Sequence, residues 1–215
     1  MATTLEITNT LITFISAVAA CVSALAIRLL YSQTKIMIET MNADHERSRR
    51  ETAIEMLRLW DDRLTKRGSM ARKLVEGFNY DQAKAMFDHE PISISIKFKD
   101  HVSAVFPDIK PKEIDTGKID IPAEHSVLLR WEIVTYLNSL ETILSAWRHG
   151  VADRDMIEEQ FCYLVRPKEN CYLLQEFRKL AGGKDSFPAI EAFVAHLQKK
   201  MGPTDGKAQI NASAR

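Results

Sequence analysis

The chain has 215 residues, with 29 Lys and Arg, 29 Asp and Glu, 46% hydrophobic residues and three cysteines. That length suits one domain, or one domain with an appendage, and 27% charge beside the apolar content excludes a wholly disordered chain. The balanced charge argues against a nucleic-acid binder coated in Lys and Arg. Cys21, Cys162 and Cys171 contain no CxxC, which excludes a disulfide scaffold and a recognisable zinc knuckle.

The charges are unevenly spread. From Ile7 to Ile27 there are 21 residues without Asp, Glu, Lys or Arg, and every basic residue lies at Arg28 or beyond. About 20 predominantly apolar residues let a helix span the roughly 30 Å hydrocarbon core. Thr8, Asn9, Thr10, Thr13, Ser16 and Ser23 dilute this run. Asn9 and Thr10 are expected at the interface, which gives a short extracytoplasmic N-terminus (residues 1–10) and a transmembrane helix over residues 11–31. Arg28 then snorkels to the headgroups.

Three rival readings of this segment exist. A cleaved signal peptide requires a positive n-region, and only Glu6 precedes Ile7. Val18-Ala19-Ala20-Cys21 resembles a lipoprotein cleavage box, but the apolar run continues through Val22, Leu25, Ile27, Leu29 and Leu30, where a lipoprotein turns polar. A buried helix of a soluble protein is the third. A retained anchor is the preferred reading. Arg28, Lys35 and Arg47 follow the span and no basic residue precedes it, so the N-terminus is expected outside and the rest of the chain in the cytoplasm. Unpaired Cys162 and Cys171 fit that compartment and read as buried small apolar residues.

After the span, residues 32–52 read as a helical stalk. No Gly or Pro occurs from Gln33 to Lys66, and Ile36, Met37, Ile38 and Met41 are the main apolar residues of its first part. Glu46 to Glu51 alternates in sign and reads as a solvated face. Heptads are not sustained over residues 34–51, which leaves a coiled coil open. A cytosolic helical domain is expected over 53–201. Ala53, Met56, Leu57, Trp60 and Leu64 form one apolar stripe. Gly68-Ser69 is expected to interrupt it, with Ser69 capping a second helix that carries Met70, Leu74 and Phe78. Residues Asp81 to Asp88 are expected to add a short turn of helix. The strict alternation of Ile92, Ile94, Ile96 and Phe98 predicts a strand, and Lys118–Ile121 is its one candidate partner across a Pro/Lys/Asp loop from Pro107 to Gly117.

The longest helical pattern follows Pro122 and runs to His149, with Leu129, Ile133, Tyr136, Leu137, Leu140, Leu144 and Trp147 inward. Gly150 is suited to its left-handed C-cap. Asp153 or Asp155 starts the next helix, with Asp155 and Glu158 at capping-box spacing, and Pro167 ends it. Two amphipathic helices are expected over about 169–181 and 186–201, before a disordered tail at 202–215. The fold class is therefore mainly α: a membrane helix and stalk, then a bundle of about five to six helices with a small β-hairpin-like insertion.

Two stretches resemble a known family. One is Ala53-Ile54-Glu55-Met56-Leu57-Arg58-Leu59-Trp60, with Arg72 following. The other is Tyr136-Leu137-Asn138-Ser139-Leu140-Glu141, then Arg148-His149-Gly150-Val151-Ala152-Asp153, then Glu159 and Phe161. Their order is similar to a bacterial domain-of-unknown-function family of single-pass proteins with an N-terminal membrane helix and a cytosolic all-helical domain. The resemblance covers roughly residues 11–200, has no counterpart for the loop at 107–122, and implies topology and localisation without a reaction or ligand.

Asn138, Glu141, Ser145 and Arg148 follow at steps of three and four, a polar stripe on an apolar helix, and Asp153 lies just past the Gly150 turn. These residues read either as a pocket for a small polar ligand, with Glu141 as a possible base, or as an internal network that fixes helix ends. Six scattered histidines lack metal-ligand spacing, and no GxxxxGK[ST], GxGxxG or GxSxG occurs. His149 reads as a helix C-terminal residue, and Trp60, Trp131 and Trp147 read as core. The expected protein has no catalytic residues, cofactor or metal, and binds no nucleic acid. It sits in the bacterial inner membrane, contacts the bilayer through its first helix, and serves as a binding or scaffolding module with a protein partner or a second copy. A sensor or effector using Asn138, Glu141, Arg148 and Asp153 is the alternative, and a hydrolytic enzyme a distant third.

Overall fold

The computed structural model describes residues 2–108, 113–114, 117–165 and 172–201. The chain divides into two units, Met1–Ser48 and Arg49–Arg215. Helix α1 (Ala2–Arg63), free of Gly and Pro, provides all of the first unit's secondary structure and the opening helix of the second.

In the first unit every side chain from Thr13 to Ser48 is exposed. This part of α1 contains a stretch long and apolar enough to cross a membrane by length and composition. The hydroxyls that dilute it are internally satisfied: Thr13 donates to the Asn9 carbonyl at 2.8 Å and Ser23 to the Ala19 carbonyl at 2.9 Å. Bonding back one turn removes much of the cost of taking a hydroxyl out of water.

The second unit is a helical domain with one small sheet. After the end of α1 come α2 (Lys66–Val75), α3 (Tyr80–Phe87), β1 (Ile92–Ser95), α4 (Lys99–Val105), β2 (Glu113–Ile114), β3 (Lys118–Ile121), α5 (Ala123–Arg148), α6 (Arg154–Val165), α7 (Gln175–Leu180) and α8 (Pro188–Met201). The core is organised on α5, whose Leu129, Ile133, Leu137, Leu140, Ile143 and Leu144 are fully buried and which packs on α2, α3, α6 and α8. Burial of each such side chain contributes roughly 1.5–3 kcal/mol relative to exposure. Trp60 meets Tyr136 and Phe161 edge-on at 5.2 and 5.3 Å, joining α1, α5 and α6.

Helix ends account for most departures from the sequence pattern. The break after α1 falls at Leu64-Thr65, and Thr65, not Ser69, caps α2 by accepting from the Gly68 amide at 2.9 Å. Gly68 and Ser69 lie inside the helix, because a threonine already holds the first-turn amides. Asn79 and Gln82 form a reciprocal capping box on α3, with both bonds near 3.0 Å. At the far end of α5, Gly150 (φ 66°) donates to Trp147 at 3.1 Å and Val151 to Ala146 at 3.1 Å, a Schellman pattern. Arg154 adds side-chain bonds to the Trp147 and Arg148 carbonyls, both at 3.1 Å.

The strand pairing follows the alternation, with one shortening. β1 and β3 run antiparallel with Ile92 opposite Ile121 and Ile94 opposite Ile119, all four buried. β2 joins the other side of β3, giving the order β1-β3-β2. Ile96 and Phe98 are not on the strand. They form a 3-10 turn leading into α4: the paired register stops at Ser95 opposite Lys118, and the Ile96 amide makes a last bond to the Gly117 carbonyl at 3.0 Å. Phe98 instead covers Gly77, where a Cβ would clash with its ring.

Helix α7 is shorter than the pattern predicts. It starts at Gln175, after Leu174 in a left-handed conformation (φ 46°); residues 166–171, including Pro167 and Cys171, lie outside the described ones, as does the tail at 202–215. α8 begins at Pro188, whose fixed φ suits the first helical position. Cys162 is half-buried rather than buried. Trp131, expected in the core, is 70% exposed: it lies two residues from both Leu129 and Ile133, and a step of two turns a helix about 200°, to the opposite face.

Candidate functional site

Glu141 points from the middle of α5 to the start of α8. Its Oε1 accepts from the Ala189 amide at 2.7 Å and its Oε2 from the Ile190 amide at 2.9 Å. These are the second and third residues of α8, so a carboxylate from another helix does the work of an N-cap. Both oxygens are occupied by this role.

Beside it lies a residue that the sequence pattern did not single out. Arg178 on α7 is 1% exposed, donates from Nε to the Leu173 carbonyl at 2.7 Å, and pairs through Nη1 with Glu191 in the first turn of α8. Burial pulls the guanidinium below its ordinary pKa, while Glu191 and then Glu141 oppose that shift. Glu141, Arg178 and Glu191 thus form one part-buried polar network, centred on the buried Arg178, that docks α8 on α5 and α7. Their positions in the sequence are too far apart for any spacing rule to connect them.

The other predicted residues lie elsewhere. Asn138 is exposed, and its carbonyl accepts from the Thr142 hydroxyl at 2.9 Å. Arg148 is exposed at the end of α5. Asp153 is the cap of α6: its Oδ1 accepts from the Asp155 amide at 3.1 Å and the Met156 amide at 3.2 Å. Its amide donates to the Arg49 carbonyl at 3.0 Å and its Oδ2 lies 3.7 Å from Arg50 Nε, tying the α5–α6 corner to the last part of α1. Asp153→Ala is expected to destabilise the protein by about 1 kcal/mol, whereas Asp153→Asn keeps most of the cap. Urea unfolding of the two variants checks this; equal losses would transfer the effect from the cap to the ion pair with Arg50.

Glu158, which the capping-box spacing assigned to the start of α6, faces α8 and Trp147 instead. Its Oε2 accepts from Lys200 Nζ at 2.8 Å, and its Oε1 lies 2.9 Å from His196 Nε2 and 3.3 Å from Trp147 Nε1. Burial alone would raise the carboxyl, but the bonds from Lys200, His196 and Trp147 together hold it below its ordinary value. A depressed carboxyl pKa gives stability that is complete above the unfolded pKa and lost as pH falls through the folded one. The stability gap between the native chain and Glu158→Gln is therefore expected to be constant near neutrality and to close on acidification below about pH 4.3. Denaturant titrations at stepped pH measure it, and a gap that widened towards acid would refute the assignment.

A cavity of about 40 Å³ lies where α2, α3 and α7 meet, lined by Glu76, Phe78, Tyr172, Gln175 and neighbours. It includes none of Asn138, Glu141, Arg148 and Asp153, and its volume suits a few waters. Among the described residues, no group of three His, Cys, Asp or Glu side chains is arranged to hold a metal.

No curated protein and no solved structure matches the chain. Residues 13–197, from the apolar part of α1 through the inward face of α8, match the family described as Domain of unknown function (DUF4760). The chain belongs to that family.

Proposed function

We propose that the protein is a non-enzymatic binding or scaffolding module held at the bacterial inner membrane by α1, with its N-terminus outside and its helical domain in the cytoplasm. The observation that carries this reading is the unburied apolar face of α1. Leu11, Phe14, Ile15, Val18, Val22 and Leu25 are 47–67% exposed, and transferring six such side chains from water to hydrocarbon is worth on the order of 10 kcal/mol. The position of Arg28, Lys35 and Arg47, all after the apolar run, supports the orientation. The engagement of Glu141 and Asp153 at helix ends supports a structural role for them over ligand binding at an Asn138/Glu141/Arg148/Asp153 cluster.

The test is fractionation and topology. The full chain is expected to stay in the membrane pellet after an alkaline carbonate wash, and Val18→Arg with Val22→Arg to release it. A reporter fused after Arg215 is expected to be active only when it folds in the cytoplasm. Native protein in the wash supernatant would sink the anchor, and a periplasm-active reporter would sink the orientation.

A further inference from the structure

We infer that α1 pairs with α1 of a second copy of this chain as a parallel dimer, an inference that rests on the membrane-anchored reading above. Along this helix Thr13, Ala17, Ala20, Ala24, Ile27, Tyr31, Thr34, Ile38 and Met41 follow at alternating steps of four and three, the spacing of a coiled-coil seam; past Met41 the line turns polar, at His45 and Ser48. Every one of these positions is exposed.

The part of the seam past the expected span carries the argument. Lipid can cover apolar side chains inside the membrane, but Ile38 and Met41, with Met37 flanking them, follow residue 31 and are 49–64% exposed. A helix without tertiary packing is marginal in water, because helix stability comes mainly from burying one face. Inside the span three of the six seam positions, Ala17, Ala20 and Ala24, are alanine, which permits close helix approach. All copies of a chain insert in one orientation, so a second copy presents the same seam in parallel register.

Charge selects that register. In a parallel pair, each residue flanking one side of the seam faces the residue five positions later on the partner helix. Asp44 then faces Arg49, twice by symmetry, while Leu30 faces Lys35 and Met37 faces Asn42. No like charges meet at these positions, and the polar His45 on the seam favours one alignment over slipped ones.

The test is oxidative cross-linking in native membranes, using the full chain with Cys21→Ser, Cys162→Ala and Cys171→Ala as background. Thr34→Cys, Ile38→Cys and Met41→Cys are expected to cross-link about fivefold faster than Ile36→Cys, Glu39→Cys and Thr40→Cys on the other faces. Independently of any substitution, the unmodified chain in detergent micelles is expected to have the mass of two chains by light scattering. Equal cross-linking on all faces, or a single-chain mass, with the protein still in the carbonate-washed pellet, would overturn the pairing and leave the anchor standing. Loss of the unmodified chain to the supernatant would overturn both.

Discussion

Arg178→Met is expected to destabilise the helical domain by about 3 kcal/mol, the lower end of the range for breaking a buried ion pair. The guanidinium is 1% exposed and holds both the Leu173 carbonyl and the Glu191 carboxylate. Removing it leaves Glu191 without its cation and a backbone acceptor without a donor. Glu191 retains some exposure, with 24% of its side chain open, so water recovers part of the loss. Arg178→Met with Glu191→Met is expected to regain about half, because an apolar pair strands no charge. Urea unfolding of the full chain in micelles, followed by circular dichroism, measures both. A loss under about 1 kcal/mol for the single variant would mean that the pair contributes no more than a surface ion pair.

Glu141→Ala is expected to cost about 2–4 kcal/mol, since two amides of a buried helix start lose their acceptor at once. Glu141→Gln keeps one acceptor oxygen and is expected to lose about half of that. Hydrogen exchange distinguishes this cause from general weakening: in the alanine variant the Ala189 and Ile190 amides, which Glu141 accepts from, should exchange before the rest of α8. Because Glu141 also opposes the burial shift of Arg178, the two losses are expected to be less than additive in a double-mutant cycle. Strict additivity would show that the residues act separately.

Neither expectation concerns a reaction. Two of the four residues that looked like a pocket in the sequence hold helix starts: Glu141 for α8 and Asp153 for α6. A carboxylate that accepts from free amides at the positive end of a helix dipole is stabilised there, and each oxygen of Glu141 already accepts one amide. In the case of Glu141 the polar stripe makes a helix-end contact. Asn138 shares the stripe by spacing alone and is exposed. Spacing places residues on a helix face; which neighbour that face meets is a matter of packing.

Periodicity and punctuation in the chain determined much of the architecture. The uncharged run in α1, the apolar faces of α5 and α8, the Gly150 stop and the pairing of Ile92–Ser95 with Lys118–Ile121 are local patterns, set by side-chain burial and by backbone freedom at one glycine. The tertiary structure alone decided where helices begin when a cap can come from more than one residue, as Thr65 displaced Ser69. It also ended β1 at Ser95, where the chain turns into a 3-10 helix, and assembled Glu141, Arg178 and Glu191 from three helices. Local energies of about 1 kcal/mol leave such choices nearly balanced, and long-range burial and hydrogen bonding settle them.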